Sequence, residues 1–414
     1  MGARSHRPDP TPEVIRDRVQ SLPRRFRPDA VNGLAAEWEL RVGSQTFAVS
    51  VVDHSCFVRE GSSVAPQTVV ATEPETWLAI DEGLITGGQA FLDRRLSVTG
   101  NLDLAVRMQT LFRPFRRARR PADLDQVEID AGGVMVSTYV LGKGEPLLLL
   151  HGLGGTKVTW FPILTALGDR FRLIVPDLPG HGESEKPRVE YSPRFYAHVM
   201  RRLMDEVGVD QAAVLGNSLG GRVALELALR SPNRVSSLAL LDPSMPGLRW
   251  RYLLGFGRVV PSELGALPFL LRERWMQVAI RRLFAHPERL SADAYAAGAS
   301  EFIRVYRSAD ARRAFFSSLA QIMAERPEAF FGSLRRVKHR TLVLFGDQDR
   351  VVPVRLGVRL AQYLPNARLV IVPEVGHVPQ FEAPEETLDA LLPFLGARRR
   401  AAKAHPSSAR SNAR

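Results

Sequence analysis

The sequence predicts an α/β protein with a mostly parallel sheet and helices on both faces, preceded by a small α+β unit. Downstream of residue 125, short apolar stretches such as 147–150 alternate with amphipathic stretches such as 192–208. That alternation is typical of βαβ units and a parallel sheet. Upstream, 22–58 contains three stretches that alternate in polarity as strands do, and helical patterns follow them. The 414 residues are enough for two or three domains.

The first unit is expected to contain five strands and three helices. After the three strands, residues 67–72 predict a fourth. The stretch 73–83 has an early proline and acidic residues and ends at a glycine, as helices do. A helix, the fifth strand and a last helix are expected over 87–95, 96–100 and 101–112.

The second unit begins with two amphipathic strands and a buried strand that ends at His151. Strands and helices then alternate as far as about Ser244. The next stretch breaks the pattern, because it is helical, rich in arginine and aromatic residues, and contains no clear strand. We expect a helical cap over about 245–330, after which the alternation resumes.

Composition narrows the class of protein. The chain is 45% hydrophobic and 24% charged, as globular proteins are. Its single cysteine, Cys56, excludes an intrachain disulfide and suits a reducing compartment, so we expect a cytoplasmic protein. No apolar run approaches the roughly 18 residues of a membrane span. The first residues lack the apolar stretch of a secretory signal.

Positive charge is concentrated in two segments. The formal net charge is +12; residues 113–120 carry five arginines, and 397–414 carry six lysines and arginines. Neither segment contains an acidic residue, so all but one of the excess charges lie there. The two segments suit a solvated linker and a disordered tail, or peripheral contact with an anionic membrane. We expect no nucleic-acid partner, because no nucleic-acid-binding fold accompanies the arginines.

The stretch "VLGNSLGGRVAL" places Ser218 between a predicted strand and a predicted helix. A serine in G-x-S-x-G can be a nucleophile on a strained turn or a residue of an ordinary tight turn. The strand–turn–helix context favours the nucleophile. Side chains at 216 and 220 would collide where strand and helix cross, which accounts for the two glycines.

A nucleophilic serine needs a base, and the base needs an acid to orient it. Asp349 and His377 follow two successive apolar strands, in the chain order that this motif requires. Both should therefore project from the carboxyl edge of the sheet. The backbone N–H groups of Leu153 and Leu219 are the expected oxyanion donors.

Several neighbouring residues could have a structural or a catalytic role. Asp347 is expected to be a turn residue, and Asp242 is an alternative position for the acid. His151 and His181 are expected to shape loops rather than to exchange protons. Asn217 could hold the turn or lie at the surface. The aromatic residues of this part of the chain could form core or substrate wall; they are Trp160, Trp250, Tyr252, Phe256, Trp275 and Phe302.

Five motifs in order resemble the α/β-hydrolase superfamily over about 127–396. They are "HGLGG", "DLPGHGES", "GNSLGG", "GDQDRVVP" and "GHVPQFEAPE". The resemblance implies the α/β-hydrolase fold, with Ser218 as nucleophile, Asp349 as acid and His377 as base. The phrase around Ser218 looks most like the lipase and monoacylglycerol-lipase-like branch or the carbon–carbon hydrolase branch, and it does not separate the two. No cofactor and no metal is expected.

The first unit resembles the sterol-carrier-protein-2 (SCP2) fold. The phrases that carry the resemblance are "LPRRFRPDAVNGL", "TEPETWLAIDEG" and "AFLDRRLSVTGNLDLAVRMQTLF". The family encloses an apolar tunnel for acyl chains or sterols, which implies a lipid-binding role. The expected divisions are an N-terminal extension, 1–20; the SCP2-like domain, 21–114; a basic linker, 115–125; the hydrolase domain, 126–396; and a basic disordered tail, 397–414.

Two functions follow from these patterns. The first is a serine hydrolase that cleaves a lipophilic carboxylic ester through an acyl-enzyme, with the N-terminal domain holding or presenting the lipid. Carbon–carbon bond hydrolysis, or another serine-dependent reaction on small substrates, is the alternative within this class. The second function is a lipid carrier or scaffold with an idle hydrolase body. The sequence leaves the oligomeric state open.

Overall fold

The computed structural model contains two sheets, each with its own helices. It describes residues 10–28, 31, 34–113, 115, 124–246, 277–278, 280–289 and 292–404. Within these ranges no helix has the length and apolar character needed to cross a membrane.

The first sheet contains the five strands that the sequence predicts. They are β1 (Ala36–Val42), β2 (Gln45–Val52), β3 (Ser55–Glu60), β4 (Thr68–Thr72) and β5 (Leu96–Gly100). Their spatial order is β3-β2-β1-β4-β5. Neighbouring strands are antiparallel except β1 and β4, which are parallel. Strand β5 therefore lies at one edge of this sheet.

Within the described part of this domain, five helices accompany the first sheet. They are α1 (Pro12–Gln20), α2 (Leu22–Arg25), α3 (Pro74–Asp81), α4 (Gly87–Leu92) and α5 (Leu102–Leu111). The predicted N-terminal extension over 1–20 contains helix α1. Helix α1 begins at a Thr11 cap, and it buries Ile15 and Val19 in the core of this sheet. Two apolar residues four positions apart lie on one helix face, which explains the packing.

The second sheet has eight strands in the order β13-β12-β11-β10-β8-β9-β7-β6. The strands are β6 (Leu124–Asp130), β7 (Met135–Leu141), β8 (Glu145–Leu150), β9 (Phe171–Pro176), β10 (Ala212–Asn217), β11 (Val235–Leu241), β12 (Thr341–Gly346) and β13 (Ala367–Val372). Strands β8 to β13 pair in parallel, and β7 pairs antiparallel with both β6 and β9. The mostly parallel sheet is therefore confirmed.

Helices cover both faces of this sheet. They are α6 (Phe161–Gly168), α7 (Pro193–Glu206), α8 (Leu219–Arg230), α9 (Ala292–Tyr306), α10 (Ala309–Ala324), α11 (Pro327–Leu334), α12 (Val354–Tyr363), α13 (Pro379–Glu382) and α14 (Pro384–Ala404). In β10, Val214 packs against the core under α7 and α8, whereas its neighbour Leu215 packs on the opposite face. Successive side chains of a strand point to opposite faces, so each central strand serves two cores.

Helix α5 belongs to two cores at once. Its Leu104 and Met108 pack inside the first sheet's own core. Its Leu102 and Val106 pack into the core that lies under α6 and α14 of the second sheet. The broad apolar face of this helix is therefore explained by its position between the two domains.

The two basic segments are described only in part. The guanidinium carbon of Arg18 in α1 lies 3.4 Å from the centroid of the Phe115 ring. The backbone N–H of Phe115 donates to the carbonyl oxygen of Asp81. Disorder of the tail over 397–414 stays a prediction, and helix α14 continues into this segment as far as Ala404. Contact of either segment with an anionic membrane stays a prediction.

The start of helix α8 should not tolerate a side chain at Gly220. A Cβ atom there would overlap the carbonyl group of Leu150 at the end of β8. Neither backbone segment can move without breaking the parallel pairing of β8 and β10, so Gly220→Ala should lower the free energy of unfolding by about 3 kcal/mol or more.

Gly332 in α11 is the matched control for this substitution. A Cβ atom there would meet nothing within 4 Å, so Gly332→Ala should be neutral or stabilise by up to about 1 kcal/mol. Urea denaturation of both variants tests the pair. Equal stability of the two would contradict the close approach at Gly220.

Candidate active site

Ser218 occupies the turn between β10 and α8. Its φ is +51°, a left-handed conformation that non-glycine residues rarely adopt and that clusters at functional sites. Three backbone hydrogen bonds hold it: Ser218 N donates to Leu241 O at 3.0 Å, and Ser218 O accepts from Ser244 N at 2.9 Å and from Arg222 N at 3.1 Å. A Cβ atom at Gly216 would overlap the backbone of Gly220. The sharp turn therefore depends on Gly216 and Gly220, the two glycines of the G-x-S-x-G motif.

Asp349 and His377 meet at the carboxyl edge of the second sheet. His377 Nδ1 lies 2.7 Å from Asp349 Oδ2. The other oxygen, Asp349 Oδ1, accepts the backbone N–H groups of Val351 at 2.7 Å and Val352 at 2.9 Å. Asp349 and His377 are 7% and 5% exposed. The carboxylate is thus fixed by backbone donors and can hold the imidazole in one orientation and tautomer.

Asp242 lies beside this pair as a second buried carboxyl group. It is fully buried, and its Oδ1 accepts Gly346 N–H at 3.1 Å. Burial, and then the nearby charge of Asp349, raise the pKa of Asp242 well above its usual range. Two carboxyl groups this close cannot both ionise readily. Burial therefore favours the neutral form of Asp242, whereas the two backbone donors of Asp349 suit a carboxylate.

Among the described residues, these same three side chains form a group in which each could offer one ligand atom to a cation. The candidate ligand atoms of Asp242, Asp349 and His377 all lie within 4.8 Å of one another. Both oxygens of Asp349 already face donors, from the backbone and from the imidazole. The donor set thus suits an acid–base pair with a neutral neighbour.

The hydroxyl of Ser218 is hydrogen-bonded to another serine. Its Oγ lies 3.1 Å from Ser244 Oγ, and within the described residues the structure has no hydrogen bond from Ser218 to His377. Asn217 connects the two regions instead, because its Nδ2 donates to Leu241 O and to His377 O, both at 3.1 Å. A rotation of Ser218 about χ1 would release Ser244 and turn the hydroxyl to a new partner.

The loop of residues 151–156, here called the oxyanion loop, lies against the serine. A Cβ atom at Gly152 would be 3.2 Å from Ser218 Cβ, so the loop backbone approaches the serine closely. Gly155 N donates to Gly152 O at 3.0 Å and closes a turn around Leu153. Leu219 is the first residue of α8, where backbone N–H groups lack helical acceptors.

His151 and His181 lie under the oxyanion loop as neutral rings. His151 Nε2 accepts Leu178 N–H at 2.9 Å, and its Nδ1 faces Gly152 O at 2.8 Å. Burial lowers the pKa of His151. Burial, and then His151, lower the pKa of His181 to about 3. Neither ring gains a proton near neutral pH, so both suit the loop-shaping role that the sequence suggested.

Aromatic residues of the cap region lie above the oxyanion loop. A Cβ atom at Gly154 would be 3.2 Å from Phe302 and 3.4 Å from Phe315. The Phe302 ring stacks on Tyr306 with centroids 4.3 Å apart. Trp160, by contrast, is fully buried in the core shared by the two domains. The predicted cap residues Trp250, Tyr252, Phe256 and Trp275 lie outside the described residues.

Two features of the site were missed or left open by the sequence. Ser244 lies within hydrogen-bond distance of Ser218 although 26 residues separate them. Asn217 spans 160 residues to reach His377. Asp347, expected to be a turn residue, is exposed and lies in a turn. Contacts that join distant parts of a chain leave no periodic signal in the sequence.

Comparison with known proteins identifies both domains. Residues 145–384 match the model of the alpha/beta hydrolase fold family, and residues 19–113 match the model of the SCP-2 sterol transfer family. A 2-hydroxymuconate semialdehyde hydrolase of Pseudomonas putida is 31% identical over 281 residues, which are 65% of this chain and 93% of that protein.

Solved structures show the same fold. One is a membrane phospholipase A described as a bacterial virulence factor, with a TM-score of 0.58 and 26% identity, covering 67% of this chain and 87% of that one. Another is 2-hydroxy-6-oxo-6-phenylhexa-2,4-dienoate hydrolase from Rhodococcus sp. strain RHA1, with a TM-score of 0.55 and 25% identity, covering 67% and 99%. The chain therefore belongs to the α/β-hydrolase fold family and carries an SCP2 domain at residues 19–113.

Proposed function

We propose that this α/β hydrolase is a serine hydrolase that cleaves a lipophilic carboxylic ester through an acyl-enzyme. The observation that carries the proposal is the buried 2.7 Å contact between His377 and Asp349, close to a serine held at a positive φ. A strained serine and an oriented imidazole are the two requirements of nucleophilic catalysis. The route uses neither a metal nor a cofactor.

The proposed reaction proceeds in two halves. Ser218 Oγ leaves Ser244, turns to His377 and attacks the ester carbonyl as the imidazole takes its proton. Asp349 stabilises the imidazolium, and the N–H groups of Leu153 and Leu219 stabilise the oxyanion. His377 then protonates the departing alcohol. In the second half it activates water, which releases the acid and restores Ser218.

A lipophilic substrate is supported by two features. Phe302, Tyr306 and Phe315 cluster beside the oxyanion loop, where an acyl chain would leave the carbonyl. The N-terminal domain matches a family described by sterol transfer. Apolar walls with few polar groups favour apolar ligands.

The single cysteine of the chain agrees with the cytoplasmic location proposed from the sequence.

Carbon–carbon bond hydrolysis is the second candidate. It is favoured by the 31% identity with the 2-hydroxymuconate semialdehyde hydrolase of Pseudomonas putida. Both reactions use a serine, a histidine and an oxyanion site, so the described residues serve either. The substrate that the enzyme hydrolyses separates the two candidates. If the protein hydrolyses neither an ester nor a carbon–carbon bond, the carrier or scaffold function is favoured.

Hydrolysis of p-nitrophenyl esters from acetyl to palmitoyl tests the proposed function. We expect the highest kcat/KM with the longer chains, because they bury more apolar surface. Ser218→Ala should lower the rate by at least about 10⁴-fold. The exposed Ser62 supplies the matched control, and Ser62→Ala should keep the full rate.

The same variants should be assayed with 2-hydroxymuconate semialdehyde. Consumption that depends on Ser218, with no ester hydrolysis, would transfer the proposal to carbon–carbon cleavage. Ester hydrolysis that survives Ser218→Ala would refute the nucleophile.

The two buried carboxyl groups should respond differently to the same substitution. Asp349→Asn removes the charge that orients His377 and should lower kcat by about 10⁴-fold. Asp242→Asn replaces a neutral acid by a neutral amide of the same shape and should cost less than about tenfold. Steady-state kinetics of both variants show which of the two carboxyl groups acts as the acid of the triad. The reverse ranking would make Asp242 the acid.

Stability provides a test of Asp242 that needs no substrate. The pKa of Asp242 is higher in the folded than in the unfolded protein, so its contribution to stability is complete below the ordinary carboxyl pKa of about 4 and is lost as the pH rises. Asparagine does not titrate. The stability of Asp242→Asn relative to the parent should therefore increase between pH 4 and pH 8 in urea denaturation. A constant difference would show that Asp242 titrates normally.

A further inference from the structure

We propose that the SCP2 domain is a working part of the hydrolase site, in which Asp103 acts as a positioning residue for the oxyanion loop. The inference rests on the proposed function and adds a regulator of that same site. It is carried by a buried group of four side chains, here called the domain-bridging cluster: Asp103, Tyr139, Lys157 and Asp177. Asp103 lies on α5 of the SCP2 domain, and the other three belong to the hydrolase domain.

The domain-bridging cluster is closed to solvent. Lys157 Nζ lies 2.7 Å from Asp177 Oδ2 and 3.5 Å from Asp103 Oδ1. The hydroxyl of Tyr139 donates to Asp103 Oδ1. All four residues are at most 4% exposed. The SCP2 domain thus supplies a second carboxylate to a lysine that water does not reach.

Charge complementarity holds the cluster together. Burial alone would lower the pKa of Lys157, but Asp103 and Asp177 raise it above its usual range. Burial alone would raise the pKa of Asp177, but Lys157 brings it below its usual range. A buried ammonium with good carboxylate geometry is stable, whereas removal of one partner is costly. Separation of the two domains would leave Lys157 with one carboxylate.

Lys157 directly follows the oxyanion loop, so the cluster fixes where that loop ends. Asp177 Oδ1 accepts the backbone N–H of Lys157 at 2.7 Å. The next residue, Leu178, donates its N–H to His151 Nε2 at the beginning of the loop. Both ends of the loop are therefore tied to residues 177–178. A shift of the lysine would move the turn that contains Leu153 N–H.

The SCP2 domain also supports the loop from the cap side. Cap helix α9 packs along the edge strand β5 and against α5. Phe302 of α9 lies against Gly154 in the oxyanion loop. Arg94 of the SCP2 domain donates to the carbonyl oxygen of Glu288, just before that helix. The loop is thus held between the bridging cluster below and a cap helix that the SCP2 domain supports.

This arrangement makes Asp103 a structural determinant of transition-state binding. An oxyanion donor works only when it is fixed about 3 Å from the developing charge. Loosening Lys157 would increase the motion of Leu153 without removing Ser218, Asp349 or His377. The effect should therefore appear in oxyanion stabilisation rather than in the integrity of the fold.

Asp103→Asn in the full-length chain tests the inference by hydrogen exchange. The variant should fold, because Lys157 keeps Asp177 and the amide oxygen can still accept the Tyr139 hydroxyl. We expect amide exchange in peptides that cover 151–160 to be at least about tenfold faster. Exchange in strand β10 should not change. Asp53, an exposed acid in the β2–β3 turn, supplies the control: Asp53→Asn should leave both regions unchanged.

A transition-state analogue supplies the second readout. Phenylboronic acid forms a tetrahedral adduct with an active-site serine and places an oxygen in the oxyanion site. Its inhibition constant should rise about tenfold in Asp103→Asn, in parallel with the loss of kcat/KM on the best ester. A smaller folded fraction would lower the rate but leave this constant unchanged. Asp103→Glu, which keeps the charge, should recover part of both losses.

The two readouts distinguish the failure of this inference from failure of the proposed function. Hydrogen exchange requires no activity, so it decides whether the SCP2 domain holds the loop even if the parent hydrolyses no ester. Unchanged exchange over 151–160 in Asp103→Asn would overturn the inference, whether or not the parent hydrolyses an ester. Faster exchange in β10 to the same extent would also overturn it, because Asp103 would then serve the global fold. An unchanged boronate constant would show that loop motion does not reach the oxyanion site.

Discussion

The close approach of helix α8 to the end of β8 is the constraint on which the rest of the site depends. The carbonyl group of Leu150 occupies the space that a side chain at Gly220 would need. The helix can therefore start directly after β10, with Ser218 held in a left-handed conformation. Such a residue costs about 1–3 kcal/mol and persists only where its surroundings fix it. Here the parallel strands on either side of β10 supply that support.

Electrostatics divides two adjacent carboxyl groups into different roles. Asp242 directly follows β11 and lacks backbone donors comparable to those of Asp349, and burial raises its pKa. Asp349 lies three residues after β12, in a turn that offers two N–H groups. The difference lies in the surroundings and not in the residue type. An aspartate at the end of either strand can follow an apolar run in the sequence, so only the turn geometry separates the two.

The contact between the two domains differs from that of a carrier domain tethered to an enzyme by a flexible linker. A carrier domain on a flexible linker would raise the local concentration of a ligand. Instead, α5 shares one apolar core with each domain, and Asp103 pairs with a lysine of the other domain. Burial of charged groups on both sides makes independent movement of the domains costly. The hydrolase and its N-terminal partner therefore form one continuous packed body through this contact.

Local periodicity determined the elements, and tertiary structure decided the contacts between them. The five strands of the first sheet and the alternation of the second follow from polarity patterns that repeat every two or 3.6 residues. The turn around Ser218 was predictable because its glycines are neighbours in the sequence. The domain-bridging role of Asp103, the hydrogen bond of Ser218 to Ser244 and the reach of Asn217 to His377 were not. Each of these joins residues far apart in the chain, so only tertiary packing, within the second sheet or between the two domains, brings the partners together.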